Sequence, residues 1–105
     1  MKKTRDYQES LLKSLKDPTE AAEYLNAAIE QGDHEMFHVA LRNVAEARGG
    51  LSRLSRATRL NRSNLHRLLS KHGNPEVQTL AEILHAFGLR LAVFAERSRP
   101  FPKAA

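Results

Sequence analysis

A chain of 105 residues, 41% apolar and with only six aromatic side chains, can bury one modest core built mostly of Leu, Ala, Val and Ile, which allows a single domain. The absence of cysteine excludes disulfides and thiolate zinc sites and fits a reducing cytoplasm, and the longest unbroken apolar run, Leu91 to Ala95, is far too short to span a membrane. The net charge of +5 is unevenly spread: residues 1–48 hold seven basic and nine acidic side chains and residues 49–105 ten and three, so the C-terminal half faces anions.

The N-terminus, MKKTRDYQES, has no apolar run behind its lysines, so no signal peptide is expected. Residues 1–4 are expected to fray. From Arg5 to Leu15 the pattern predicts a short amphipathic helix with Tyr7, Leu11, Leu12 and Leu15 on one side. Asp17-Pro18-Thr19-Glu20 then supplies an N-cap, a proline at the first helical position and a capping-box glutamate. The helix that follows places Ala21, Leu25, Ala28 and Ile29 on one face and ends at Gly32, a left-handed C-cap. Asp33 caps the next helix, whose stripe is Met36, Phe37, Ala40, Leu41, Val44 and Ala45, and Gly49-Gly50 stops it. His34 and His38 share a face of that helix as a metal-binding pair would, but no third ligand stands at obvious spacing.

The stretch LSRLSRATRLNRSNLHRLL, Leu51 to Leu69, reads as a helix-turn-helix. The apolar positions Leu51, Leu54, Leu60, Leu65 and Leu68 are interrupted between Leu54 and Leu60, where a tight turn fits. Ser52 is the expected cap of the first helix, with Ser55 one turn inside it, and Asn61 the cap of a second beginning at Arg62. From Gly49 to Pro75 there are six basic residues and no acidic one, a one-sided charge suited to phosphates. The bland alternative is a solvated basic face, and for Arg56 and Arg59 it carries equal weight. In such a unit the N-terminal part of the second helix enters the major groove. Arg62, Asn64 and His66 are therefore candidates for base edges, and Arg67 for base or phosphate. Ser52, Arg53, Asn61, Ser63 and Lys71 are candidates for phosphate contacts, which set register.

Beyond a turn-rich loop, Ser70 to Pro75, a helix is expected from Pro75–Val77 with Val77, Leu80, Ala81, Leu84 and Phe87 buried and Gly88 at its end. Leu89 to Ala95 alternates as a strand does. No other segment reads as a strand, so its natural partner is the same strand of a second copy, with Leu89, Leu91, Val93 and Phe94 as the dimerisation residues.

From Asp17 to about Phe94 the chain resembles the probable addiction-module antidote proteins, the HigA-like antitoxins with a lambda-repressor-like (Xre/Cro) DNA-binding domain. The match is carried by Asp17-Pro18, Ala21-Ala22, Tyr24 to Ala28, Glu30-Gln31-Gly32-Asp33, Ala45 to Gly49, Leu54-Ser55-Arg56, Thr58 and Leu60. Gly73-Asn74-Pro75, Thr79-Leu80 and Phe87 to Leu91 complete it. Two positions depart from the pattern: Arg59 stands where the family usually has Gly, and Ser55 where Ala is common. The resemblance implies an all-α fold, a lambda-repressor-like helix-turn-helix bundle with N-terminal helices and a short C-terminal strand. It divides the chain into a helical extension (1–16), a DNA-binding domain (17–95, with the helix-turn-helix at 51–69) and a flexible tail (96–105).

What the resemblance implies for function is a small cytoplasmic antitoxin of a type II module, without a cofactor. It would neutralise a RelE/ParE-like toxin and, as a homodimer, repress its own operon through a near-palindromic operator on double-stranded DNA. The alternatives are a stand-alone prophage-type repressor and a toxin-binding module with little DNA affinity, docking through the mildly acidic helices of residues 5–48. An enzyme is disfavoured: there is no phosphate loop, nucleophile elbow or metal quartet, and His66 near Ser63 sits on a basic helix rather than in a cleft.

Overall fold

A computed structural model describes residues 5–96. The fraying expected at residues 1–4, and the tail from residue 97 onward, lie outside the described residues. Among those described there are six helices: α1 (Arg5–Ser14), α2 (Pro18–Glu30), α3 (His34–Ala47), α4 (Gly50–Thr58), α5 (Arg62–Leu68) and α6 (Val77–Ala86).

Side-chain caps mark where α2, α3 and α5 begin. Asp17 is extended and accepts from the Thr19 N–H at 2.9 Å, ahead of Pro18 at the first helical position. Asp33 accepts from the N–H groups of Glu35 and Met36 at 3.0 and 3.3 Å. Between them Gly32, at φ 72°, lets α2 and α3 fold back on each other through a three-residue connection.

The core is aliphatic. Leu25 of α2, Leu41 and Val44 of α3, Leu54 of α4, Leu65 and Leu69 at α5, and Ile83 and Phe87 at α6 form one buried cluster. Packing of this kind, rather than intrinsic helix propensity, holds such short helices. α1 joins the cluster through Leu15, which is buried, and Leu11, which is partly so. A polar relay reinforces that joint: the Gln8 amide donates to Asn43 Oδ1 at 3.2 Å, and the Asn43 amide donates to the Tyr24 hydroxyl at 2.9 Å, tying α1, α3 and α2 together. Four side chains expected on buried faces are exposed instead: Tyr7 (52%), Ile29 (53%), Met36 (45%) and Val77 (74%). Tyr7, Met36 and Val77 lie in the first turns of α1, α3 and α6, and Ile29 in the last turn of α2.

α6 ends in a complete Schellman motif. Gly88, at φ 80°, donates to the His85 carbonyl at 2.9 Å, and the Leu89 N–H reaches back to the Leu84 carbonyl at 2.8 Å. Past it, the expected strand at Leu89–Ala95 does not form. The segment has no regular structure, and Leu91, Val93 and Phe94 stand exposed at 43, 97 and 84%. Alternation alone cannot make a strand: the backbone needs a ladder partner, and the described residues of one chain offer none.

Candidate nucleic-acid interface

α4, its turn and α5 form the basic surface. α4 begins three residues earlier than a Ser52 cap would dictate. Gly49 (φ 107°) and Gly50 (φ 86°) reverse the chain directly out of α3, so Gly49 occupies the cap position without any side-chain hydrogen bond. Ser52 lies inside the first turn of α4, exposed, beside the exposed Arg53. The expectation that Ser52 caps this helix is thus corrected: two consecutive glycines supply the turn that a capping serine would otherwise mark.

The turn is stitched by hydroxyls. Thr58, buried, donates to the Leu54 carbonyl at 2.8 Å while its Oγ1 accepts from the Leu60 N–H at 3.2 Å. Ser55 Oγ donates to the Leu60 carbonyl at 2.5 Å. Arg59 takes the left-handed conformation at φ 67°, the one non-glycine residue to do so among those described. That costs on the order of 1 kcal/mol relative to glycine.

Asn61 caps α5: its Oδ1 accepts from the Asn64 N–H at 2.7 Å. Leu65 and Leu69 are fully buried and Leu68 partly so, which turns the opposite edge of α5 outward. Arg62, Ser63, His66 and Arg67 are exposed along it, and Asn64 is half-buried. Arg67 donates through Nη2 to the Asn64 side-chain oxygen. Arg53, Arg56 and Arg59 add exposed cations from α4 and the turn. Lys71, in the loop after α5, is exposed and paired with Glu35 of α3 at 3.5 Å. The structure therefore brings Arg62, Ser63, His66 and Arg67 onto one edge, couples Asn64 to Arg67, and gives Lys71 an acidic neighbour. Exposed pairs of the Lys71–Glu35 kind contribute little and leave the lysine available to another anion.

Sequence reasoning weighed His34 and His38 only as a metal pair. Their rings lie 4.4 Å apart, yet His34 Nε2 is 3.0 Å from the Gly73 carbonyl, and no group of three or more metal-ligating side chains occurs among the described residues. His38 is buried, and desolvation, seconded by the charges of His34 and Arg42, holds its pKa below the ordinary histidine value; the Leu69 backbone opposes this. Arg42, one turn further along α3, donates to the Leu69 carbonyl at 2.5 Å. The spacing 34, 38, 42 is a helical polar stripe that interrupts an apolar helix, and it was visible in the sequence.

The four expected dimerisation residues lie apart from this surface. Leu89 is half-buried against the core, whereas Leu91, Val93 and Phe94 are exposed. Leu89, Leu91 and Phe94, with Ala22, Ile29 and Leu80, line an open apolar groove of about 440 Å³.

These features define an all-helical bundle compatible with a helix-turn-helix, carrying a capped basic helix at its surface. No helix among the described residues is long and apolar enough to cross a membrane. Residues 6–95 match the probable addiction module antidote proteins, and the chain belongs to that family. An antidote implies a toxin partner. The chain is also similar to an uncharacterised protein of Haemophilus influenzae, 31% identical over 74 residues that cover 70% of this chain and 75% of the other. No solved structure matches.

Proposed function

We propose that this protein is a DNA-binding antitoxin of a type II toxin–antitoxin module, of the HigA-like, Xre/Cro subtype, without enzymatic activity. It acts in the cytoplasm, neutralises a RelE/ParE-like toxin and represses its own operon. The observation that carries this reading is the outer edge of α5: Arg62, Ser63, His66 and Arg67 are exposed on a helix whose inner edge, Leu65 and Leu69, is buried. That short helix follows a tight turn, within a stretch of chain that holds six cations and no carboxylate. Arg62, Asn64 and His66 read base edges, Arg67 reads base or phosphate, and Ser52, Arg53, Asn61, Ser63 and Lys71 set register on phosphates. A homodimer joined through Leu89, Leu91, Val93 and Phe94 presents two such helices to a near-palindromic operator. The exposed apolar side chains of that segment support the dimer.

The test is a mobility-shift assay on the DNA upstream of the gene, with and without the product of the neighbouring reading frame. Binding that weakens steeply with salt and prefers the upstream sequence supports the reading. Tight association with the neighbouring product and no preference for any duplex would favour the interaction-module alternative. That second reading draws on the exposed carboxylates Glu9, Glu20, Glu23 and Glu30 of α1 and α2, a surface suited to a basic partner.

A further inference from the structure

α5 is seven residues long, and two turns of helix do not hold themselves together in water. Asn61 serves its N-terminal end. At the other end the last carbonyls have no partner within the helix and carry the negative pole of its dipole. Ser70 satisfies the Arg67 carbonyl, and α3 meets the Leu69 carbonyl and the loop beyond it through a face on which His34, His38 and Arg42 recur every four residues. Arg42 Nη1 donates to the Leu69 carbonyl at 2.5 Å, and His34 Nε2 stands 3.0 Å from the Gly73 carbonyl, bonds that span 27 and 39 residues of chain. The His38 ring, between them on the same face, is buried, and its Nδ1 has no hydrogen-bond partner among the described residues.

Apolar packing does not do this work alone. α5 leans chiefly on α4, and between α3 and α5 lies an open cleft of about 460 Å³ lined by Arg42, Glu46, Leu51, His66 and Leu69. The polar stripe bridges the edge of that cleft. Gly73 makes the bridge possible: a Cβ there would come within 2.0 Å of the Leu68 carbonyl oxygen, so only glycine lets the loop lie against the end of α5 and offer its own carbonyl to His34.

We propose that His34 and Arg42 are positioning residues that fix the tilt of α5 against the bundle, so that its outer edge meets a duplex in one orientation. This rests on the DNA-reading role of α5 and concerns residues that do not lie on its outer edge. A helix held at both ends by groups outside itself reads sequence well, because base contacts tolerate little rotation. Phosphate contacts through flexible arginines tolerate much more.

The experiment takes the full chain and measures two things. One is amide hydrogen exchange at Leu69, Ser70 and Gly73, whose N–H groups bond to Leu65, Arg67 and Ser70. The other is affinity for the upstream DNA and for a mixed-sequence duplex of equal length. His34→Ala is the first variant, because His34 is exposed and its loss spares the core. Exchange at these amides should accelerate, and affinity for the upstream DNA should fall about three- to tenfold, the worth of one hydrogen bond. Affinity for the mixed duplex should stay within about twofold. His34→Gln, which keeps a donor, should recover most of the loss, and Arg42→Lys should fall between the parent and Arg42→Ala. Unchanged exchange in His34→Ala, or an equal fall on both duplexes, overturns the proposal. If the parent chain binds no duplex while His34→Ala still accelerates exchange, the anchor survives as structure and the DNA-reading role of α5 is what fails.

Discussion

The Arg67 guanidinium donates to the Asn64 side-chain oxygen one turn earlier on α5. Asn64 needs that same oxygen to accept from an adenine amino group if it is to make the bidentate contact that asparagine offers. If α5 reads DNA as proposed, the two residues act there as a unit. Either the pair opens on binding, or Asn64 reads through its amide alone while Arg67 is held in place. In both cases Asn64→Ala and Arg67→Ala should be non-additive. A double-mutant cycle on operator affinity should give a coupling of about 0.5–3 kcal/mol, and a value near zero would show that the pair plays no part in reading.

Arg62 has no such tie. It is exposed at the first position of α5, and no hydrogen bond or ion pair restrains its side chain among the described residues. Arg62→Ala should cost about 1–3 kcal/mol against the preferred site and relax specificity there. Lys71→Ala should instead weaken all sequences alike and reduce the salt slope by about 1. Titrations at several salt concentrations distinguish the two, and unchanged operator binding in Arg62→Ala would remove α5 as the reader.

Gly73→Ala should be far more damaging than its loop position suggests. The new Cβ would meet Leu68 O at 2.0 Å, Leu68 C at 2.5 Å and Arg67 O at 2.6 Å, all backbone atoms with no side-chain freedom. A loss of about 2 kcal/mol or more is expected by urea unfolding, since overpacking against backbone cannot be relieved by a rotamer change.

Arg59→Gly should act in the opposite direction. Relief of the left-handed strain at φ 67° outweighs the added freedom of glycine in the unfolded chain. The expected gain is about 0.5–1 kcal/mol, and Arg59→Val should be destabilising. The same denaturation curves report both.

His38 gives the stability a pH dependence. Burial keeps its folded-state pKa below the ordinary 6.5, so the unfolded chain binds this proton more tightly than the folded one. Stability should therefore fall as pH drops through about 6.5 and level off below the folded-state pKa, with that step absent in His38→Gln. Thermal midpoints taken between neutral and mildly acidic pH measure it.

Much of this was legible in the residues. Asp17, Asp33 and Asn61 announce three helix starts because a short polar side chain before an apolar period has one good local use, and Gly32 marks the stop between the first two. The break between Leu54 and Leu60 located the turn even with arginine where glycine is usual, because the missing apolar residue, not the turn residue, carried the signal. Other features depend on the third dimension. Periodicity says which way a side chain points but not how far the core extends, so Met36 and Val77 were expected inside and stand outside. Ser52 has the sequence signature of a cap, but the double glycine before it both stops α3 and starts α4. The α3 stripe went unread as an anchor because its partners are backbone carbonyls, which leave no mark in a sequence.

Past the Schellman turn at Gly88, Val93 and Phe94 project almost wholly into solvent. Among the described residues nothing is laid over that strip, and such a surface is adhesive. Overproduced by itself, the protein should pair with a second copy as concentration rises. Charged replacements at those two sites should keep it dispersed while leaving helix content untouched.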